Sequence, residues 1–201
     1  MIISKKGAVA ALKEAWKKGY EIVPRGTRIS VYTENWALEL QTKDLPLEVS
    51  QVLVEHYEGI PVEPAFVQKN RDKQTMLDME TEERGQELIY QQEQPKYMHR
   101  IPVLYRDRWA MFGTSMGEWI CVDQRFVEIL EDIHSVSVMM TQNGMALFSL
   151  QDERLTVAPG KFGTEDWAKL QKIAELYVEQ KVAPEEMPEN LCLFEDMERD
   201  E

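Results

Sequence analysis

The sequence predicts an α+β protein: a mainly antiparallel sheet built from hairpins, with amphipathic helices packed on one face. Short runs of alternating apolar and polar residues recur between turn residues, which is strand patterning. Sets of such runs lead into segments with apolar residues at i, i+3, i+4 and i+7, which is helical patterning. Asn143-Gly144 stands between two runs and marks a hairpin, because glycine reaches the positive φ that a tight turn needs.

Taken in order, residues 4–18 read as a helix. Ser4 caps it, Val9, Leu12 and Trp16 recur at helical spacing, Lys17 and Lys18 suit its C-terminal dipole, and Gly19 ends it. Lys6, Lys13 and Lys17 form a stripe beside the apolar face. Residues 20–23 are a strand ahead of a Pro24-Arg25-Gly26 turn, and 28–33 and 36–40 are strands joined at Glu34-Asn35. Asp44 and Pro46 open a second helix with Val49, Val52, Leu53 and His56 on one side. Residues 68–99 are crowded with Gln, Glu, Lys and Arg and fit a solvated helix, a lid or a connector.

Patterning returns at Arg100. Residues 109–112 and 119–122 flank a glycine-bearing turn, and Asp123 caps a helix carrying Phe126, Val127, Leu130 and Ile133. The Asn-Gly hairpin spans 136–141 and 145–150, and 155–157 adds a strand. Thr164 then caps a long helix to about Gln180, with Trp167, Leu170, Ile173, Ala174 and Tyr177 as its buried stripe. The chain divides into a helix plus hairpin-helix lobe (1–66), a polar connector or lid (67–99), a hairpin-helix-hairpin-helix lobe forming one body with the first (100–182), and an acidic tail (183–201). The phrases Tyr32-Thr-Glu-Asn-Trp-Ala-Leu and Met140-Thr-Gln-Asn-Gly-Met-Ala-Leu look alike. Either a degenerate duplication or the reuse of a common pattern produces such a likeness, and reuse is the simpler reading.

The net charge of −13 is unevenly spread. Residues 1–30 hold seven basic groups and two acids, so the remaining 171 hold 16 basic groups and 34 acids, a net −18. An acidic surface repels phosphates and anionic membranes and attracts basic proteins. Trp36, Tyr57, Tyr90 and Trp119 are not interleaved with basic residues, which argues against direct nucleic-acid binding. Cys121 and Cys192 have neither metal-ligand spacing nor the density of a disulfide framework. The first residues lack the apolar core of a signal peptide, and no apolar run approaches the roughly 20 residues a bilayer requires. A cytoplasmic protein is expected.

Candidate chemistry is sparse. Gly113-Thr-Ser115-Met-Gly117 has the G-x-S-x-G spacing and resembles the nucleophile elbow of α/β-hydrolases, with Asp123 or Asp132 and then His134 following in that family's chain order. That resemblance implies Ser115 as nucleophile beside a backbone oxyanion hole. The residues after it, however, read as a strand instead of a helix, which makes the motif a glycine-rich hairpin loop. Cys121 with His134 as base is a second arrangement, set against a buried thiol of raised pKa. Asp78, Glu82, Glu83 and Glu87 stand one helical turn apart in pairs and would gather Mg²⁺ on a helix. Glu82-Glu83-Arg84-Gly85 resembles part of a Nudix box whose upstream Gly, Glu and Arg-Glu are missing here. The histidines, His56, His99 and His134, are far apart, and no Walker or dinucleotide fingerprint occurs.

The tail from Pro184 to Glu201 holds eight acids, one Arg and the apolar cluster Leu191-Cys-Leu-Phe194. That cluster either folds back on the core or, with Leu191, Leu193, Phe194, Glu195 and Asp196, meets a partner. The expectation is a non-enzymatic protein-binding or regulatory protein without a cofactor. Its sharpest form is an acidic inhibitor, or a mimic of nucleic acid, directed at another protein with a basic surface. The alternative is a small hydrolase using Ser115 or a Mg-dependent carboxylate site.

Overall fold

Ser4 opens the first helix, α1 (Lys5–Lys18), by accepting a hydrogen bond from the Gly7 amide at 3.1 Å, and Gly19 closes it at φ 117°. The computed structural model describes residues 1–43, 45–57, 59, 65–70, 73–76 and 96–182. The buried face of α1 is Ala8, Ala11, Leu12 and Ala15, with Val9 and Trp16 only partly buried at its edge. Small residues let the helix lie close to its support. Gly7 shows this best, since a Cβ there would stand 2.6 Å from the Ile129 Cβ.

Strands β1 (Tyr20–Arg25), β2 (Arg28–Tyr32) and β3 (Trp36–Gln41) form a meander. The first turn is Gly26-Thr27, with Gly26 at φ 61°, so Pro24 and Arg25 belong to the strand instead of the turn. Arg25 and Arg28 close this two-residue hairpin, so the Pro24 nitrogen points away from β2. On its other side β1 pairs with β4 (Ala65–Asn70) over Tyr20 to Ile22. The second turn is held by Thr33, whose hydroxyl accepts from the Trp36 amide at 3.1 Å. Helix α2 (Leu47–Tyr57) follows, burying Val49, Val52 and Leu53. Part of the polar 67–99 stretch is strand, because β4 and β5 (Lys73–Met76) form a hairpin that extends the sheet beyond β1.

The later half repeats this plan. β6 (Lys96–Tyr97) leads into a separate three-stranded sheet of β7 (His99–Tyr105), β8 (Trp109–Gly113) and β9 (Trp119–Asp123). The helix capped by Asp123 is shorter than its apolar spacing predicts. It comprises α3 (Gln124–Glu128) and a single 3₁₀ turn, Ile133–Ser135, because Leu130 leaves the helix to pair with Ile3. A second meander follows: β10 (Ser137–Met140), β11 (Ala146–Leu150) and β12 (Glu153–Val157), then helix α4 (Thr164–Val182). In the Asn-Gly turn only Gly144, at φ 72°, takes positive φ, and the Thr141 hydroxyl accepts from the Met145 amide.

The large sheet has the order β5-β4-β1-β2-β3-β12-β11-β10-β6, so the two meanders meet last strand to last strand. Trp36 pairs with Val157 and Leu38 with Leu155 across this seam. The order β1-β2-β3-β12-β11-β10 reads as a two-fold arrangement of two helix-meander-helix units. The look-alike phrases fall on non-equivalent turns, β2–β3 in one meander and β10–β11 in the other. Topology carries the repeat; that short likeness does not.

One buried cluster runs from Ile2 to Val157. It fills the space between the inner face of the large sheet and a layer made of α1, α2, α3 and the three-stranded sheet, with Phe112 edge-on to Phe148 at 5.5 Å. Helices thus cover one face only in part, and β7–β9 complete the layer. A second, smaller cluster of Ile101, Met111, Cys121, Leu170 and Ala174 joins the far side of the three-stranded sheet to α4. The outer face of the large sheet carries a buried polar layer of Glu21, Ser30, Glu39 and Thr156. Arg28 bonds the Glu39 carboxylate at 3.3 Å and Asp152 at 2.7 Å.

Candidate functional site

The G-x-S-x-G residues form the β8–β9 hairpin tip. Thr114 organises it, its hydroxyl accepting from the amides of Met116 and Glu118, while Gly117 turns the chain at φ 82°. Ser115 is exposed in this tip. Asp123 stands at the other end of β9, opposite Trp109, whereas Gly113 pairs with Trp119 beside the tip. Four residue rises separate the two ends, about 13 Å along the strand. The structure therefore does not bring Ser115 and Asp123 together.

Asp123 is engaged where it is. Its carboxylate caps α3 by accepting from the Arg125 amide and takes Arg108 at 3.0 and 3.2 Å. Asp132 is likewise committed locally: it accepts from the Ser135 hydroxyl and from the His134 amide at 2.9 Å. Those two bonds, the hydroxyl's first, hold its carboxyl below the ordinary range. His134 is exposed in the 3₁₀ turn.

Cys121 faces α4, whereas its neighbours Ile120 and Val122 face the main core. Burial pushes its thiol up to about 12, far from the value a nucleophile needs at neutral pH. Ile133, beside His134, packs on the main core, across the three-stranded sheet from the Cys121 thiol. His56 stacks on Trp16 at 4.8 Å between ring centres. Asp78, Glu82, Glu83 and Glu87 lie outside the described residues, as do Leu191, Leu193, Phe194, Glu195 and Asp196. Among the described residues no group of three His, Cys, Asp or Glu side chains could hold a metal ion.

What the structure does assemble is a polar cleft of about 570 Å³ at the open end of the β3–β12 seam. Lys5, Lys43, Glu131, Asp152 and Glu153 line it, and Glu153 accepts from the Ile2 amide and lies 3.8 Å from the Met1 amino group. A second groove of about 540 Å³ shares Lys5 and Glu131 and continues between α1 and α2 along Lys6, Val9 and Glu48. These residues come from segments far apart in the chain. No spacing in the sequence announces them; only the repeat plan brings the segments together. The cleft mixes both signs of charge, with Lys5 and Lys43 facing Glu131, Asp152 and Glu153 among its lining residues.

Exposed apolar side chains among the described residues include two groups near these elements. Leu47 and Val54 stand outward on α2, 71% and 65% exposed. Met116, 86% exposed at the β8–β9 tip, lies three residues before Trp119, whose ring meets Trp167 of α4 at 4.4 Å and whose Nε1 donates to Gln171. No helix among the described residues is long and apolar enough to cross a membrane. No family model matches the chain, and no curated protein matches it.

Proposed function

We propose that this chain is a non-enzymatic protein-binding or regulatory protein of the cytoplasm, directed at another protein with a basic surface. The observation that carries this reading is the charge distribution: −18 over residues 31–201, with eight acids between Pro184 and Glu201. A surface of that sign steers a basic protein by long-range attraction and resists phosphates, so neither a nucleic acid nor an anionic membrane is its partner. An inhibitor that offers carboxylates where nucleic acid would offer phosphates is the sharpest form of the idea. The placement of Ser115, Asp123 and Cys121 adds support, since each is occupied in local structure or isolated from the others.

The test starts with crosslinking in cells to recover the partner, followed by calorimetry with the purified pair. Replacing the acids of 185–201 by Gln and Ser should weaken binding at least tenfold; unchanged affinity contradicts the reading. A fluorophosphonate probe separates the hydrolase alternative. It should leave the wild type unlabelled, and labelling that disappears in Ser115→Ala would replace this proposal with that enzyme.

A further inference from the structure

Helix α1 concentrates positive charge, most of it without an ion-pair partner among the described residues. Lys5, Lys6, Lys13, Lys17 and Lys18 are all exposed, and only Lys18 has an ion-pair partner among the described residues, Glu14 at 2.7 Å. At 3.6 residues per turn, Lys6, Lys13 and Lys17 fall within about 40° of one another on the outward side. Lys13 and Lys17 stand one turn apart, a like-charge arrangement that disfavours the helix by a few tenths of a kcal/mol. A feature of that kind gains stability from an anionic neighbour.

Helix α2 lies alongside in the same direction. Trp16 stacks on His56 at one end, and Lys6 and Val9 share a groove with Glu48 at the other. Its outward stripe is Leu47, Gln51 and Val54, opposite the buried Val49, Val52 and Leu53. Glu48 and Glu55 on α2 offset some of the lysine charge, yet neither stands within ion-pair distance of an α1 lysine; Glu55 lies against His56. The pair of helices thus presents a row of amines beside two exposed aliphatic side chains.

One segment of the chain matches this face in both respects. Residues 184–201 carry eight acids against one Arg, with Leu191-Cys-Leu-Phe194 in their midst. We propose that this tail docks in cis on the outward face of α1 and α2, its carboxylates against Lys6, Lys13 and Lys17 and its apolar cluster on Leu47 and Val54. Leu191 lies nine positions beyond Val182, a reach of roughly 30 Å when extended, about the diameter of a small domain. Docking removes the aggregation hazard of an exposed Leu-Cys-Leu-Phe run and places it beside compensating charge. This contact goes beyond the function proposed above and draws on the same carboxylates, but its test needs no partner, so its failure is distinguishable from the failure of that reading.

The test uses the full chain with Cys192→Ser and Met197→Cys, a nitroxide on the new thiol, and amide signals as readout. The buried Cys121 thiol does not take the label. Broadening should concentrate on residues 5–18 and 47–57, and should fade in Lys6→Glu/Lys13→Glu/Lys17→Glu and, for the parent sequence, in 0.5 M salt. Uniform broadening, or broadening on another face, overturns the proposal. So does broadening of an unmodified labelled chain mixed with the nitroxide-bearing one, which would mean docking between copies. As an independent check, maleimide should modify Cys192 in the wild type at least tenfold more slowly than in the triple variant or in Leu47→Ser/Val54→Ser. Equal rates overturn the contact.

Discussion

Burial keeps the Cys121 thiol protonated far above its ordinary value of about 9, up to about 12. The folded thiol therefore holds a proton that the unfolded one loses, and its contribution to stability is complete below pH 9 and is lost as pH rises toward 12. The slope is about 1.4 kcal/mol per pH unit for one such group. Tyr57 acts in the same direction, raised by burial with its hydroxyl on the Leu12 carbonyl at 2.5 Å. Between pH 8 and pH 10.5 the wild type should lose about 2 kcal/mol more than Cys121→Ala in denaturant titrations; equal losses would mean that the thiol is not desolvated. Arg28 shows a second residue-scale contrast. Its contact with Asp152 is solvated, whereas Glu39 is fully buried. Asp152→Asn should cost less than about 1 kcal/mol, but Arg28→Met strips a buried carboxylate of its cation and should cost about 3 kcal/mol. Comparable costs for the two variants would refute the asymmetry.

At the scale of single elements, Gly7 sets two effects against each other. Ala in a helix interior is better than Gly by about 1 kcal/mol. Here the added methyl would sit 2.6 Å from Ile129 Cβ and 3.0 Å from its carbonyl oxygen, and overpacking of that kind costs about 1–3 kcal/mol. Backbone is one of the obstacles and gives little, so Gly7→Ala should lower the melting temperature; a rise would mean that α1 shifts freely on its support. Most elements were legible in the sequence because local chemistry decides them. Ser4 and Gly19 bound α1, Thr33 and Gly144 make turns, and alternation marks the strands. Two details were not legible. Pro24 reads as a turn residue, yet it sits in β1, where its missing donor faces away from β2 and costs that ladder no bond. The spacing of Phe126, Val127, Leu130 and Ile133 reads as one helix, yet pairing of Leu130 with Ile3, a contact 127 positions away, ends it early.

For the whole molecule, the distant pairing of β3 with β12 unites two helix-meander-helix units on one core. Nothing local announces that seam, because Trp36–Gln41 and Glu153–Val157 each look like an ordinary half-buried strand until they are paired. The polar cleft at its end escaped the sequence for the same reason: Lys5, Lys43, Glu131 and Asp152 become neighbours only through the seam and the N-terminal pairing. Charge, by contrast, was plain from composition, since it needs no contact to be counted. On the proposed function, partner binding rests on that charged surface. Affinity for the recovered partner, measured by calorimetry from 50 to 300 mM NaCl, tests this most directly. Attraction between opposite charges screened over a Debye length of about 10 Å at 0.1 M requires affinity to fall at least tenfold across that range. An affinity indifferent to salt would contradict it.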